Sequence, residues 1–354
     1  MKYLKRHRDR PNTRFLLAAV SVLIFCLVFS SCTDKQTFAR EDNLDDFFQK
    51  KEVTIAVTDS GLGGLSVLAE AAEKMRKTRM FGRVNFVFFN ALFSNQGGFN
   101  SLKTQKEKAL VFDSALKSLT QNYNPDLILI GCNTLSVLYD STPFSSNETI
   151  PVMGIVDSGV ELIAHILKNH PEAKVILFAT QTTIEEGTHK KRLVDKGFLS
   201  ERIVTQACPD LVPYIESGRS SDETEMLIFA YADEALQKLD DPDSSLYISF
   251  NCTHYGYSLD LWKKGFTNLD AEPKAFLNPN SRMINFLFPP EFQERVQETE
   301  ITIRVVSMVE IGKDKIASIG GWLDGISPQT SEALQAYEWN LNLFEWKKFM
   351  SSER

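Results

Sequence analysis

Val53-Thr-Ile-Ala-Val-Thr58 runs directly into Asp59-Ser-Gly-Leu-Gly-Gly64, and Leu65, Leu68, Ala72 and Met75 follow at helical spacing. A β-branched run, a glycine-rich turn and an apolar face repeating every three to four residues read as strand, turn and helix. The unit recurs along the chain. Val84–Phe89, Leu127–Ile130, Val152–Val156, Val175–Ala179, Ile203–Gln206 and Leu246–Phe250 are further apolar strand candidates. Helical stretches at Thr104–Leu119, Gly159–Asn169, Thr183–Lys196 and Asp222–Lys238 lie between several of them. Strands alternating with helices predict an α/β fold, mainly parallel and covered on both faces. The 354 residues suffice for two such domains or one large one.

In such sheets the working residues sit just past the carboxyl ends of the strands. Three strands here end in chemically capable clusters: Asp59-Ser60-Gly61, Gly131-Cys132-Asn133-Thr134 and Asn251-Cys252-Thr253-His254-Tyr255. The glycine cluster admits two readings, a backbone cradle for an anion at a helix start or simply a tight turn. It lacks both the Gly-Lys-Ser/Thr ending and the Gly-x-Gly-x-x-Gly spacing of nucleotide sites. Asp59 fits either a helix cap or a carboxylate that orients a neighbour. Cys132 and Cys252, each taken alone, fit a small buried apolar residue as well as a reactive thiol. His254 favours the second reading for Cys252, because imidazole can draw a thiol toward thiolate. Cys208, in Ala207-Cys-Pro-Asp210, has no such company and reads as structural. Zinc is poorly supported, since the Cys-x₂₋₄-Cys pairs of structural sites are absent. A cysteine hydrolase built on Cys252 and His254 would leave Cys132 without a role.

Hydrophobic residues make up 43% of the chain and charged residues 24%, the balance of a soluble globular body. The formal net charge of −7 argues against a general nucleic-acid binder. Residues 1–32 stand apart. Lys2, Lys5, Arg6, Arg8, Arg10 and Arg14 precede an apolar run from Phe15 to Phe29 and then Ser30-Ser31-Cys32. A basic head, an apolar core and small residues at the end are the parts of a secretory signal. Small residues directly before a cysteine also resemble a bacterial lipoprotein signal, with Cys32 lipidated and holding the protein to a membrane. An uncleaved anchor is the alternative. In both cases the positive-inside bias places the rest outside the cytoplasm, in the cell envelope facing the periplasm or exterior. Residues 33–51 are polar and patternless and read as a tether. Of five cysteines, Cys132, Cys208 and Cys252 remain for the body, too few for a disulfide framework.

Several segments together resemble the glutamate racemase family of the aspartate/glutamate racemase superfamily. They are Ile55-Ala-Val-Thr-Asp-Ser-Gly-Leu-Gly-Gly-Leu-Ser-Val-Leu68, Cys132-Asn-Thr134, Pro151-Val-Met-Gly-Ile155, Ala179-Thr-Gln-Thr-Thr-Ile-Glu-Glu-Gly-Thr188, Gln206-Ala-Cys-Pro-Asp-Leu-Val-Pro-Tyr-Ile-Glu216 and Cys252-Thr-His-Tyr255. They follow the family's order over roughly residues 53 to 290. The resemblance implies two pseudo-symmetric, doubly wound domains with the active site between them. One would take residues 53–155 plus about 277–354, and the other 156–276. It implies racemisation of an acidic amino acid, L-glutamate to D-glutamate, with neither pyridoxal phosphate nor metal. Inversion without a cofactor needs two proton-transfer groups on opposite sides of one carbon. The resemblance assigns these to Cys132 and Cys252, with Asp59 assisting the first and Glu216 and His254 the second. Cys252 would act on the L-enantiomer and Cys132 on the D-enantiomer. Ser60, Asn133, Thr134, Thr180, Thr253 and Gly97 would hold the substrate, and the resemblance admits a homodimer.

Two departures bear on substrate and location. Where the family has Asp-x-Ala-Arg leading to Pro-Tyr-Gly, this chain has Asn90-Ala-Leu-Phe-Ser-Asn-Gln-Gly97, with only Gly97 clearly kept. Beyond residue 290 the chain runs on through the strand-like Ile301–Val309 to an aromatic tail with Trp339 and Trp346, expected as an extra strand and a closing helix packed as core. An exported racemase could not supply D-glutamate to peptidoglycan synthesis inside the cell. Hence a second reading stands beside the first: a non-catalytic envelope lipoprotein that binds an amino acid or cell-wall fragment in the same cleft.

Overall fold

The computed structural model describes residues 44–147, 150–240 and 245–350. The expected signal segment with Cys32, and the tether up to residue 43, lie outside the described residues. Among the described residues no helix is long and apolar enough to cross a membrane. The body taken up below begins at Phe47. Its strands are β1 (Glu52–Asp59), β2 (Arg83–Asn90), β3 (Leu127–Ile130), β4 (Val152–Gly154), β5 (Lys174–Ala179), β6 (Ile203–Ala207), β7 (Leu246–Asn251), β8 (Ala275–Leu277), β9 (Glu300–Ser307) and β10 (Glu338–Trp339).

Two sheets result, ordered β10-β9-β2-β1-β3-β4 and β6-β5-β7-β8, and every recorded pairing is parallel. Helices cover both faces, which is why the four residues of β3, Leu-Ile-Leu-Ile, are all buried. Within the first four strands of each sheet the order is the same: second, first, third, fourth. The first and third strands of each sheet are therefore neighbours whose connections leave in different directions. That arrangement opens a crevice at their carboxyl ends.

Several elements differ from expectation for local reasons. The strand expected over Val152–Val156 stops at Gly154, because Ile155 already starts the helix Ile155–Asn169 and donates its N–H to Ser136 Oγ (3.1 Å). The helix expected over Thr183–Lys196 is two, Gln181–Glu186 and Thr188–Asp195, broken where Gly187 takes φ 63°. The short β8 lacked any pattern long enough to read. Residues 47–51, expected to be patternless, begin the folded body. Phe47 and Phe48 are buried, the first edge-on to Phe81 (ring centroids 5.4 Å) and the second stacked on Phe292 (5.1 Å).

The C-terminal stretch supplies β9 as expected, lying parallel to β2 along its whole length. Two helices follow it rather than one, Lys313–Leu323 and Pro328–Gln335. Of the aromatic tail, Phe344 is buried and Trp346 leans on Phe93 (4.8 Å), but Trp339 is 51% exposed and not core. Asn90, the first residue of the altered segment, donates its amide to Ser307 Oγ on β9 (3.1 Å). Its side chain serves the added strand.

Candidate functional site

The carboxyl ends of β1, β3, β5 and β7 face one cleft of about 800 Å³. Asp59, Ser60, Gly97, Cys132, Asn133, Thr134, Thr180, Glu216, Cys252, Thr253 and His254 all line it, so every residue singled out in the body meets there. Cys132 directly follows the β3–Gly131 end and Cys252 directly follows β7, the third strand of each sheet. Each is 5% exposed and neither is in a disulfide. Cys208 is buried on the wall of the same cleft.

The tight strand-to-helix turn is present, with the Leu65 N–H donating to the Leu62 carbonyl (3.2 Å), but a turn alone does not account for its glycines. A Cβ at Gly63 would stand 2.6 Å from His254 Nδ1 and against Thr253 Oγ1, and one at Gly61 would stand 2.7 Å from Glu216 Oε1. Neither glycine is among those with positive φ. Their lack of a side chain serves close approach: the residues that follow β7 press directly on the turn that follows β1.

The two thiols have different company. Cys132 Sγ lies 3.3 Å from Ser60 Oγ. Burial pushes its thiol up to about 12, and the Asp59 charge adds to the effect. Burial also pushes Cys252 well above the usual thiol range. Cys252 Sγ sits 3.7 Å from His254 Nδ1, and His254 Nε2 is 2.9 Å from Glu216 Oε1. The Leu62 N–H approaches both Glu216 Oε1 (2.8 Å) and His254 Nε2 (3.2 Å). These contacts are compatible when Nε2 carries a proton and both N–H groups donate to the carboxylate, which leaves Nδ1 unprotonated toward the thiol in neutral imidazole. Glu216 Oε2 takes a further donor, Lys315 Nζ at 2.8 Å. Burial alone would raise the Glu216 carboxyl, but the His254 hydrogen bond and charge, joined by Lys315, outweigh it and hold the group at about 2.

Asp59 binds Thr253 Oγ1 through Oδ2 (2.8 Å), while its Oδ1 is buried without a partner. Burial raises its carboxyl, opposed by the His254 charge and the Thr253 bond. Asn133 Nδ2 and Asn251 Nδ2 are likewise buried and unpartnered on the cleft wall. An acceptor and amide donors left bare in a buried cleft are ready to meet a small zwitterion. The Asn133 amide is fixed by His189, whose Nε2 lies 3.1 Å from Asn133 Oδ1. Burial, aided by Arg192, lowers His189 to about 3, so the ring is neutral and donates that bond. Thr134, Thr180 and Thr183 share hydroxyl contacts of 2.8 to 3.4 Å that link the two sheets' loops. Among the described residues no group of three or more His, Cys, Asp and Glu is spaced to hold a metal ion.

Sequence reasoning missed Lys315 and His189, and it placed Asn251 in a cluster without giving it a role. Lys315 and His189 carry no local signal, since their partners lie 99 and 56 residues away.

No protein-family model matches the chain. It is similar to the glutamate racemase of Persephonella marina, at 26% identity over 62% of this chain and 76% of that protein. It is also similar to the glutamate racemase of a Sulfurihydrogenibium species, at 29% identity over 57% of this chain and 70% of that one. Among solved structures, glutamate racemase from Campylobacter jejuni superposes with TM-score 0.56 at 22% identity, over 77% of this chain and 98% of its own. The Francisella tularensis enzyme, solved with D-glutamate, gives 0.57 at 20% identity, over 78% and 95%. At such identities the structural likeness establishes the two-sheet α/β fold.

Proposed function

We propose that the chain racemises glutamate without a cofactor, with Cys132 and Cys252 working on opposite faces of the α-carbon. The observation that carries this reading is the pair of buried thiols on one cleft, each at the end of the corresponding strand, Cys132 beside Ser60 and Asp59 and Cys252 beside His254. The similarity to glutamate racemases supports the substrate. A binding protein has no need of two such proton-handling sets.

From L-glutamate, the Cys252 thiol passes its proton to His254 Nδ1, and Glu216 steadies the imidazolium. The thiolate takes the α-proton while Cys132 delivers its own to the other face, forming D-glutamate. The Cys132 thiolate and the His254 imidazolium are then neutralised by proton exchange through the cleft. In reverse, Asp59 receives the Cys132 proton, a task suited to a carboxyl raised by burial. Asn133, Asn251 and the hydroxyls of Ser60, Thr134 and Thr180 hold the substrate's amino and carboxylate groups, while Thr253, which donates to Asp59, lines the site beside them. Both free thiols are protonated at neutral pH, so transfer to these partners is the step that makes a base.

The test incubates the reduced protein with L-glutamate in deuterated water. Deuterium at Cα together with D-glutamate is the expected result. Absence of both, with aspartate also inert, would end the racemase reading. Cys132→Ser and Cys252→Ser should each abolish net racemisation.

We further propose that the protein sits in the bacterial envelope, tethered through a lipidated Cys32 and acting on amino acids there. Its support is the basic head, apolar run and Ser30-Ser31-Cys32. Mass spectrometry of the mature N-terminus should find a diacylglyceryl cysteine at position 32. An unprocessed Met1 would refute the signal.

A further inference from the structure

We propose that Lys315 is a positioning residue for the Cys252 side of the site: by binding Glu216 Oε2 it leaves Oε1 to His254, and so keeps Nδ1 turned to the thiol. The proposal deepens the racemase reading and rests on it for its kinetic test. The geometry is a single relay. Lys315 Nζ to Glu216 Oε2 is 2.8 Å, Glu216 Oε1 to His254 Nε2 is 2.9 Å, and His254 Nδ1 to Cys252 Sγ is 3.7 Å. With the Leu62 N–H also on Oε1, three donors on two oxygens fix the plane of a carboxylate whose side chain is 4% exposed. Without the ammonium, Oε2 is a buried acceptor with no partner. The carboxylate then gains by turning, and it takes the imidazole with it.

Lys315 is itself held. One turn along its helix, Ser318 Oγ accepts the Arg219 N–H (3.0 Å) and donates to the Ile215 carbonyl (3.2 Å), docking helix Lys313–Leu323 on Leu211–Gly218. Across this contact, Leu211–Gly218 carries Glu216 and Lys313–Leu323 carries Lys315. Among the described residues lining the cleft, Lys315 is the only lysine or arginine. It lies beyond the stretch from 53 to 290 that carries the family resemblance. The C-terminal segment therefore completes the site as well as the sheet.

The experiment compares Lys315→Met and Lys315→Arg in the full chain, with thermal melts confirming folding. The equilibrium constant between enantiomers is one, so kcat/KM must fall equally in both directions. The informative quantity is the split between kcat and KM. Lys315→Met should lower kcat about tenfold or more, part of what acid–base catalysis supplies, with KM nearly unchanged. Lys315→Arg keeps a donor on Oε2 and should restore most of the rate. A second readout needs no turnover: peptide-resolved alkylation by iodoacetamide should slow at Cys252 in Lys315→Met and stay unchanged at Cys132. A raised KM with unchanged kcat would make Lys315 a substrate contact and overturn the proposal. So would an arginine variant as impaired as the methionine one, or a wild-type alkylation rate at Cys252 in Lys315→Met. If wild-type protein shows no Cα exchange, the racemase reading falls, and the alkylation arm alone decides Lys315.

Discussion

Gly63→Ala puts the apposition of the two loops to a direct test. The added methyl would stand 2.6 Å from His254 Nδ1 and 2.8 Å from Cε1, and would also meet Thr253 Oγ1. Carbon contacts are comfortable near 3.5 Å, so the ring must retreat by roughly 1 Å or the loops must part. The φ at Gly63 is not in the left-handed region, so alanine carries no backbone penalty and the whole effect is contact. Overpacking of this kind costs about 1–3 kcal/mol of stability. A catalytic ring displaced by about 1 Å can cost about a hundredfold in rate. The expected outcome is thus a folded protein with a lowered Tm and racemisation, followed by α-deuterium uptake, reduced about a hundredfold. Gly321→Ala is the control. It lies in helix Lys313–Leu323 with nothing within 4 Å of its Cβ, and should leave activity intact while stabilising by about 0.5–1 kcal/mol. A Gly63→Ala enzyme as fast as wild type would refute the argument that this turn is glycine for the sake of His254.

Three further outcomes are expected. Asn251→Ala removes a bare amide donor from the cleft and should raise KM for glutamate about ten- to a hundredfold, the worth of one hydrogen bond to a charged group, and an unchanged KM would remove Asn251 from binding. The Cys132 thiol, pushed up to about 12, should alkylate slowly at pH 7, and its rate should still be climbing at pH 10, whereas a plateau below pH 9 would contradict the burial argument. Glu216 titrates at 4.5 when unperturbed and about 2 in the fold, so the unfolded chain binds more protons between those values. Its stabilisation is present above 4.5 and lost as pH falls toward 2. Tm measured over that window should drop, and Glu216→Gln should flatten the drop; an equal slope in both proteins would count against the assignment.

Much of the fold was legible because parallel strands buried on both faces are nearly continuous apolar runs. The four residues of β3 were read to the residue, and β5 to within one. The two cysteines were legible through position, each just past such a run. What could not be read was contact between distant segments. The glycines at 61 and 63 looked like a turn or an anion cradle because their reason for being glycine is a histidine and a glutamate more than 150 residues away. Asn90 looked like lost substrate recognition, and its side chain instead reaches a strand absent from the pattern that carried the resemblance. Phe47 and Phe48 sit among charges and show no period, so nothing local marked them as core.

The pairing of β2 with β9 also has a consequence in time. Arg83 and Glu300 are partners at a separation of 217 residues. At ordinary rates of synthesis the ribosome needs roughly 10–45 s to make that interval. Throughout it β2 emerges with one side unpaired, while the whole second sheet is made first. The first sheet is therefore assembled from the chain's early and late portions only after translation is nearly over, a slow, non-local closure.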